Sequence, residues 1–404
     1  MPIRPTSEVN EQMSVRNRSQ EPAGTLSLFT YIMGTIKRNC VLFLLILLLI
    51  VLAFLRADGI REIAGYYKLV EWNTVGALTG IIIITTAIKE SNFLGSVAKR
   101  ILNRSMSERG LALLLVILSA LLSTFLTNDI TLFIIVPLTI SLQGQLENDI
   151  TKMVIFEIVA VNVGSSLTPA GNPQNLFLWH KWGLSFTSFM GKMLPLTTAL
   201  MFLLLLFVWF SFESRKLKVS SNTDDHYDRW LVALSFALLG GYMATFELKR
   251  TAYALPVIAL VYIPFYRRVL RKVDWPIILI FILMFVDFRL VSEISPVARL
   301  MGQLNQVGTG SVFVYSLLIS QIISNVPAAV FLSKFSSNWL AIAYGVNVGG
   351  NGIVIASLAN LIALRMVGDK KIWSRFHRYS LVYLSISACL IYFLLHSYPM
   401  RWIA

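Results

Sequence analysis

The chain has 404 residues, of which 56% are hydrophobic and 14% charged, and a mean hydropathy of +0.69. That is the composition of an integral membrane protein and excludes an ordinary soluble domain. The formal net charge is +14, but the basic residues gather in particular loops, as the positive-inside rule requires, so no nucleic-acid partner is expected.

In chain order, residues 1–39 read as a polar cytoplasmic leader. The leader is too long for a typical signal peptide, and Leu55-Arg-Ala-Asp58 is a poor cleavage site, so the run Cys40–Leu55 reads as an uncleaved first span. A second span covers 72–88, and 91–109, with Lys99, Arg100, Arg104 and Arg109 against Glu108, reads as an amphipathic interfacial helix. Residues 110–142 are apolar with one charge, Asp129, near the middle. One straight helix there would be about 50 Å long, too long for a core of about 30 Å. Folding at Thr127–Asp129 gives a re-entrant hairpin with its tip near the midplane, or else two short spans. Residues 150–179 cross with a broken loop inside, 180–194 look interfacial, and 195–212 cross back. A polar connector, 213–229, is softest at 222–225.

The second half begins with a pair of spans, 230–246 and 251–266, which deliver Arg267, Arg268, Arg271 and Lys272 to the cytoplasm. Residues 275–288 cross outward and 291–307 lie at the interface. An apolar hairpin, 310–335, bends at Ser324–Pro327, and 338–364 form a second broken span. Arg365, Lys370, Lys371, Arg375 and Arg378 make a cytoplasmic loop before the last span, 380–395. The expected fold is an all-α integral membrane protein with about nine crossing helices, two re-entrant hairpins and two discontinuous helices. The expected divisions are the leader 1–39, a first membrane half 40–212, the connector 213–229 and a second half 230–404. The basic loops place the N-terminus inside, the C-terminus outside and the repeats in inverted orientation.

Two phrases recur in the same order. Val161-Asn-Val-Gly opens the first broken segment, and Val346-Asn-Val-Gly opens the second 185 positions later, both closing on Asn-Leu at 175–176 and 360–361. Ser123-Thr-Phe-Leu-Thr-Asn-Asp129 is echoed by Ser320-Gln-Ile-Ile-Ser-Asn-Val326. Ordered duplication of interrupted hydrophobic segments is a transporter signature. Backbone that leaves the helix at membrane depth is tolerated only where protein buries it or it lines a cavity. The candidate site is therefore Thr127, Asn128 and Asp129 at the first tip and Ser324, Asn325 and Pro327 at the second. The first break adds Asn162, Ser165, Ser166, Thr168, Pro169, Gly171, Asn172 and Asn175. The second adds Asn347, Gly349, Asn351, Gly352, Ser357 and Asn360. Half-helix N-termini suit an anion, while unwound carbonyls and neutral side-chain oxygens suit a small hard cation such as Na+.

Asp129, Glu157 and Asp287 are candidates for proton coupling, because a carboxylate at membrane depth is costly and usually functional. The blander alternatives are a helix N-cap at Thr127–Asp129, a basic partner for Glu157, and a local pair of Asp287 with Arg289. Lys334 is expected to snorkel to the surface. Two cysteines, Cys40 and Cys389, and four histidines at 180, 226, 377 and 396 offer no disulfide framework or metal spacing. No phosphate-cradling glycine loop supports ATP-driven transport. No nucleophile–base set supports an enzyme, and a wide passive channel does not need such coordinating loops.

At these residues the chain resembles the ion-transporter superfamily of arsenite/antimonite permeases, citrate-type and divalent-anion/sodium symporters and certain sodium/proton antiporters. The resemblance rests on Thr127–Asp129, Ser165–Asn175, Ser324–Pro327 and Gly349–Gly352 and covers about residues 70–395, with arsenite-permease-like anion transporters nearest in pattern. It implies a transport domain of two hairpins and two broken helices, and a scaffold that often forms a homodimer. It also implies no organic cofactor, with Na+ the candidate bound ion. The symporters carry a Ser-Asn-Thr-like sequence at both tips, whereas this chain has Asp129 in the first and Val326 in the second. The expected activity is secondary active transport of a small anion, coupled to H+ or Na+, in a bacterial or archaeal inner membrane. The alternative is Na+/H+ antiport at Asp129.

Overall fold

The computed structural model describes residues 40–56, 65–102, 106–142, 150–217, 226–248, 254–369 and 371–397. The leader, the soft point at 222–225 and Lys370 lie outside these residues, as do the side chains of Lys99, Arg100 and Arg104. The first half contains α1 (Cys40–Arg56), α2 (Trp72–Glu90), α3 (Phe93–Leu102), α4 (Glu108–Phe125), α5 (Asn128–Ser141), α6 (Thr151–Ser165), α7 (Pro173–Lys181) and α8 (Phe186–Ser211). The second contains α9 (Arg229–Glu247), α10 (Ala254–Phe265), α11 (Arg267–Lys272), α12 (Trp275–Ser292), α13 (Ser295–Met301), α14 (Thr309–Ile323), α15 (Asn325–Leu332), α16 (Trp339–Gly349), α17 (Leu358–Val367) and α18 (Lys371–Ser397). Apart from one antiparallel ladder of two-residue strands, β1 (Met106–Ser107) against β2 (Lys216–Leu217), the regular structure of the described residues is helical.

Among the described residues, α2, α4, α8, α12 and α18 are long and apolar enough to cross a membrane. The arms of the bends are unequal. α4 has 18 residues and α5 has 14, while α14 has 15 and α15 has 8. An eight-residue helix rises about 12 Å and cannot cross a hydrocarbon core, so α15 is the return arm of a hairpin.

Three expected boundaries move. The interfacial segment 91–109 divides, because the Ser107 side chain accepts from Gly110 N and starts α4 with Glu108 and Arg109 inside it. α8 begins at Phe186, not at Pro195, with Ser185 accepting from Ser188 N at 3.1 Å. Pro195 sits within that helix, a placement membrane helices tolerate when neighbours satisfy the freed carbonyl. α18 begins at Lys371, so Arg375 and Arg378 extend the last span as helix instead of forming a loop. Both are strong helix formers, and apolar content alone does not register them.

The packing repeats under exchange of the halves. α4 lies along α6, and α14 along α16. α5 crosses to α17 of the second half, while α15 crosses to α7 of the first. α8 packs on α6 and touches α16, and α18 contacts both α16 and α6. Glycine permits the tightest of these approaches. A Cβ on Gly164 would stand 2.1 Å from the Ala120 carbonyl oxygen, and one on Gly349 would stand 2.0 Å from Ser320 Oγ. Beside this body, α2 contacts α9, α10 and α12, and α12 contacts α1.

Candidate substrate and ion site

Each broken helix stops where its sequence removes ladder donors or supplies side-chain caps. α6 ends at Ser165, and Asn172 restarts the helix as the N-cap of α7, its Oδ1 accepting from Asn175 N at 2.9 Å. Pro173 takes the first helical position, where a missing N–H has no consequence. In the second half α16 ends at Gly349, a 3-10 turn covers Val354–Ala356, and α17 restarts at Leu358.

Each hairpin tip docks on the break of its own half. Asn128 N donates to the Gly171 carbonyl at 3.0 Å, and Ser324 Oγ donates to the Ala356 carbonyl at 3.4 Å. One turn earlier, Thr124 Oγ1 donates to the Gly164 carbonyl at 3.2 Å and Gln321 Nε2 donates to the Gly349 carbonyl at 2.8 Å. The Thr124–Gly164 and Gln321–Gly349 pairs occupy equivalent places in the two repeated phrases, and Gly171 is the equivalent of Ala356. Thr168 Oγ1 fastens the first loop to the Thr124 carbonyl at 2.5 Å.

The two breaks are joined to each other. Asn162 Nδ2 donates to Asn360 Oδ1 at 2.8 Å, and Asn347 Nδ2 donates to Asn175 Oδ1 at 2.7 Å. Asn162 and Asn347 are equivalents in the repeat, as are Asn175 and Asn360, so one bond is the image of the other. Asn172 Nδ2 adds a bond to Asn347 Oδ1 at 3.0 Å, and Ser357 Oγ donates to Asn162 Oδ1 at 3.3 Å. Ser165 and Ser166 return to carbonyls of their own helix, and Ser166 also meets Thr197 Oγ1 at 2.8 Å. All of these polar residues are buried. Pro169, Gly171, Pro327, Gly349 and Gly352 contribute backbone at the same junctions. Asn351 donates to the Asn347 carbonyl at 3.2 Å, and its own Oδ1 accepts no hydrogen bond. Asn325 is buried at the second tip, beneath Gly350.

The acidic residues are dispersed. At the first tip, Asn128 Oδ1 accepts from Asp129 N at 3.0 Å, and Thr127 stands at the N-cap position of α5 with Asp129 in the first turn, as the N-cap alternative has it, but without a side-chain capping bond. Asp129 Oδ1 is shielded from solvent and accepts no hydrogen bond. Glu157, completely buried, takes no basic partner. Its Oε1 accepts from Thr139 Oγ1 at 2.5 Å while Oε2 accepts nothing. Asp287 is also buried, and neither of its carboxylate oxygens accepts a hydrogen bond. The expected pair with Arg289 does not form, since Arg289 Nη1 binds Glu71 Oε1 at 3.1 Å. Residues two apart on a helix point to opposite sides, which separates the two. Lys334 is exposed.

A cavity of about 130 Å³ reaches the first tip, lined among others by Thr86, Lys89, Thr127, Asp129, Lys272 and Asp274. A larger one of about 370 Å³, between Glu108, Lys152, Phe212, Arg375 and Arg378, contains none of the expected site residues. The expected residues converge instead where the tips meet the breaks. Gln321 went unnoticed in the sequence, although its alignment with Thr124 placed it at a tip. Thr86 and Lys89 carried no such signal.

The citrate transporter family matches residues 28–338 of the chain. The inner membrane protein YbiR of Escherichia coli is 38% identical over 82% of this chain and 89% of its own length. An uncharacterized transporter of Methanocaldococcus jannaschii is 38% identical over 74% of this chain and 82% of its own. A Dictyostelium discoideum protein named as an arsB transporter is 25% identical, over 32% of this chain and 23% of its own. With its helical, membrane-spanning architecture and duplicated breaks, the chain belongs to the citrate transporter family of membrane transport proteins.

Proposed function

We propose that this chain is a secondary active transporter of a small anion, an inorganic oxyanion or arsenite-like species or a carboxylate, coupled to H+ or Na+. The observation that carries the reading is the pair of symmetry-equivalent amide bonds, Asn162 to Asn360 and Asn347 to Asn175, which hold two broken helices together beside two hairpin tips. Helices opened in the middle of a membrane bundle present dipole ends and free backbone groups to an ion, and paired ones suit alternating access at the midplane. In this reading the tip and break residues named above form the ion site, with Asp129, Glu157 and Asp287 as the proton-carrying candidates.

The moving body is α4–α8 with α14–α18, whose members cross-pack between halves. α1, α2, α9, α10 and α12 form the scaffold and the face for a homodimer. The YbiR name supports an inner-membrane location. The basic ends at Arg267–Lys272 and Lys371–Arg378 support a cytoplasmic N-terminus and an outer C-terminus. Asp129, the one carboxylate at a tip, favours Na+/H+ antiport as the second reading.

Anion uptake into proteoliposomes tests the proposal. Asn128→Ala and Asn325→Ala should each reduce transport at least a hundredfold while leaving the protein folded. Retained transport in either would refute a site shared by both halves.

A further inference from the structure

The second break is held from outside its own loop, and the last helix supplies one of the two holds. Gln321 of α14 spans the opened segment, its Nε2 donating to the Gly349 carbonyl at 2.8 Å and its Oε1 accepting from Ile353 N at 3.0 Å. The next backbone donor, Val354 N, is taken by α18, where His377 Nε2 accepts from it at 3.4 Å. Val354 is buried at the start of the 3-10 turn, and a buried N–H without a partner is costly, so the imidazole acts as the cap of that turn. The other ring nitrogen fixes the tautomer. His377 Nδ1 lies 2.7 Å from the Trp373 carbonyl, which can only accept, so Nδ1 carries the hydrogen and Nε2 presents its lone pair. The repeat explains why the cap belongs to this half. The equivalent of Val354 is Pro169, which has no N–H to satisfy.

We infer that His377 is a positioning residue for the second half of the ion site, holding the 3-10 turn only while its imidazole is neutral. The inference deepens the transport reading and rests on it. Two residues beyond Val354, the Ala356 carbonyl receives Ser324 Oγ from the second tip, so the turn that His377 caps is the seat on which that tip docks. A second proton on the ring would turn Nε2 from acceptor into donor, set N–H against N–H and release the turn. Histidine is the side chain whose charge ordinarily changes between about pH 5 and 8. The charged groups on the helices packed against α18 are engaged elsewhere. On α6, Glu157 takes Thr139 and Lys152 takes the Ser211 carbonyl. Lys192 of α8 lies 5.9 Å from the Trp339 ring centre, and Arg365 of α17 reaches Cys40 Sγ at 3.4 Å. α14 and α16 bring no charged side chain; Tyr315 of α14 is exposed and Tyr344 of α16 donates to the Lys192 carbonyl. On α18 itself, Arg375, Arg378 and Tyr379 line the larger cavity with Lys152, and Lys371 is exposed at the helix start.

Flux of labelled phosphate or acetate into proteoliposomes tests this, with the same pH on both sides so that no proton gradient drives it. Between about pH 8 and about pH 5.5 the wild type should slow about fivefold, the loss of one hydrogen bond. His377→Gln, whose Oε1 accepts at every pH, should match the wild type at the alkaline end and lack the acid step. His377→Leu has no acceptor and should be about fivefold slower throughout. His396→Gln, farther along the same helix, should keep the wild-type profile. Hydrogen exchange of the amides of residues 353–357 in detergent, corrected for the intrinsic effect of pH, reads the cap without transport. At the alkaline end it should be about fivefold faster in His377→Leu and unchanged in His377→Gln, and thermal unfolding checks that each variant is folded. An acid step retained in His377→Gln, or amides indifferent to His377→Leu, would each overturn the inference. The two claims separate cleanly. Amide exchange of this pattern with no anion flux refutes the transporter reading and leaves the cap. Flux that depends on Asn128 and Asn325 but has one pH profile in wild type and His377→Gln refutes the cap alone.

Discussion

Ser324 carries the most unusual backbone at either tip, with φ +75° and ψ 158°, a region essentially reserved for glycine. It is the single residue between α14 and α15, where the chain reverses, and the turn forces the conformation. Ser324→Gly should relieve about 1–3 kcal/mol of backbone strain. It also deletes the hydroxyl that reaches the Ala356 carbonyl. The expected outcome is a higher unfolding temperature together with weakened transport. A variant equally active and no more stable would mean that the turn is not strained. The paired asparagines make a second prediction at this scale. Removing Asn162 leaves the amide of buried Asn360 without its cross-repeat partner, which costs about 1–3 kcal/mol. Asn162→Ala and Asn360→Ala should then be strongly non-additive in a double-mutant cycle of unfolding free energies, since they sever one bond between them. Full additivity would deny the bond. The sequence named both residues and their repeat equivalents, Asn347 and Asn175. That they bond across the repeats, Asn162 to Asn360, and not within one loop could not be read from spacing, because it depends on how the halves interlock.

At the scale of elements, apolar run length located the spans and glycine, proline and amides located the breaks. The ends of α8 and α18 were misplaced, because Pro195 in a membrane helix and Lys371–Arg378 at a helix start do not look like span interior. The exchange of α5 onto α17 and α15 onto α7 was invisible for the same reason as the asparagine pairing. That exchange has a mechanical consequence. With each return arm seated on the other half's broken helix, the repeats cannot rock against each other without unpacking both. The proposed alternating access therefore requires motion where α5 and α7 face α2 and where α15 faces α12. With Cys40 and Cys389 replaced, engineered cysteine pairs joining α7 to α15 should leave transport nearly intact. Pairs joining α2 to α5 should arrest it at least tenfold, reversibly on reduction. The opposite pattern, measured as anion flux before and after oxidation, would place the hinge inside the body.

At the scale of the whole molecule, the halves share one architecture but differ in charge. One tip holds Asp129 and the other Val326, and the cavity that reaches the first is lined by Lys89 and Lys272 together with Asp129 and Asp274. A twofold scaffold with a one-sided carboxylate suits a cycle in which a single coupling ion travels with the anion. Membrane class, duplication and the two tips were legible in the sequence from composition and repeated phrases. The cavity was not, because Lys89 and Lys272 lie far apart in the chain and come together only through the packing of α2, α5, α11 and α12. The most direct test of the account is proton flux in proteoliposomes, measured for wild type and Asp129→Asn under an imposed phosphate or acetate gradient and, separately, under a sodium gradient with no permeant anion. The account predicts anion-dependent flux, carried by protons or accelerated by sodium, that falls at least tenfold in Asp129→Asn. Sodium-driven proton exchange without any anion, lost in the same variant, would contradict it and make the protein a cation antiporter.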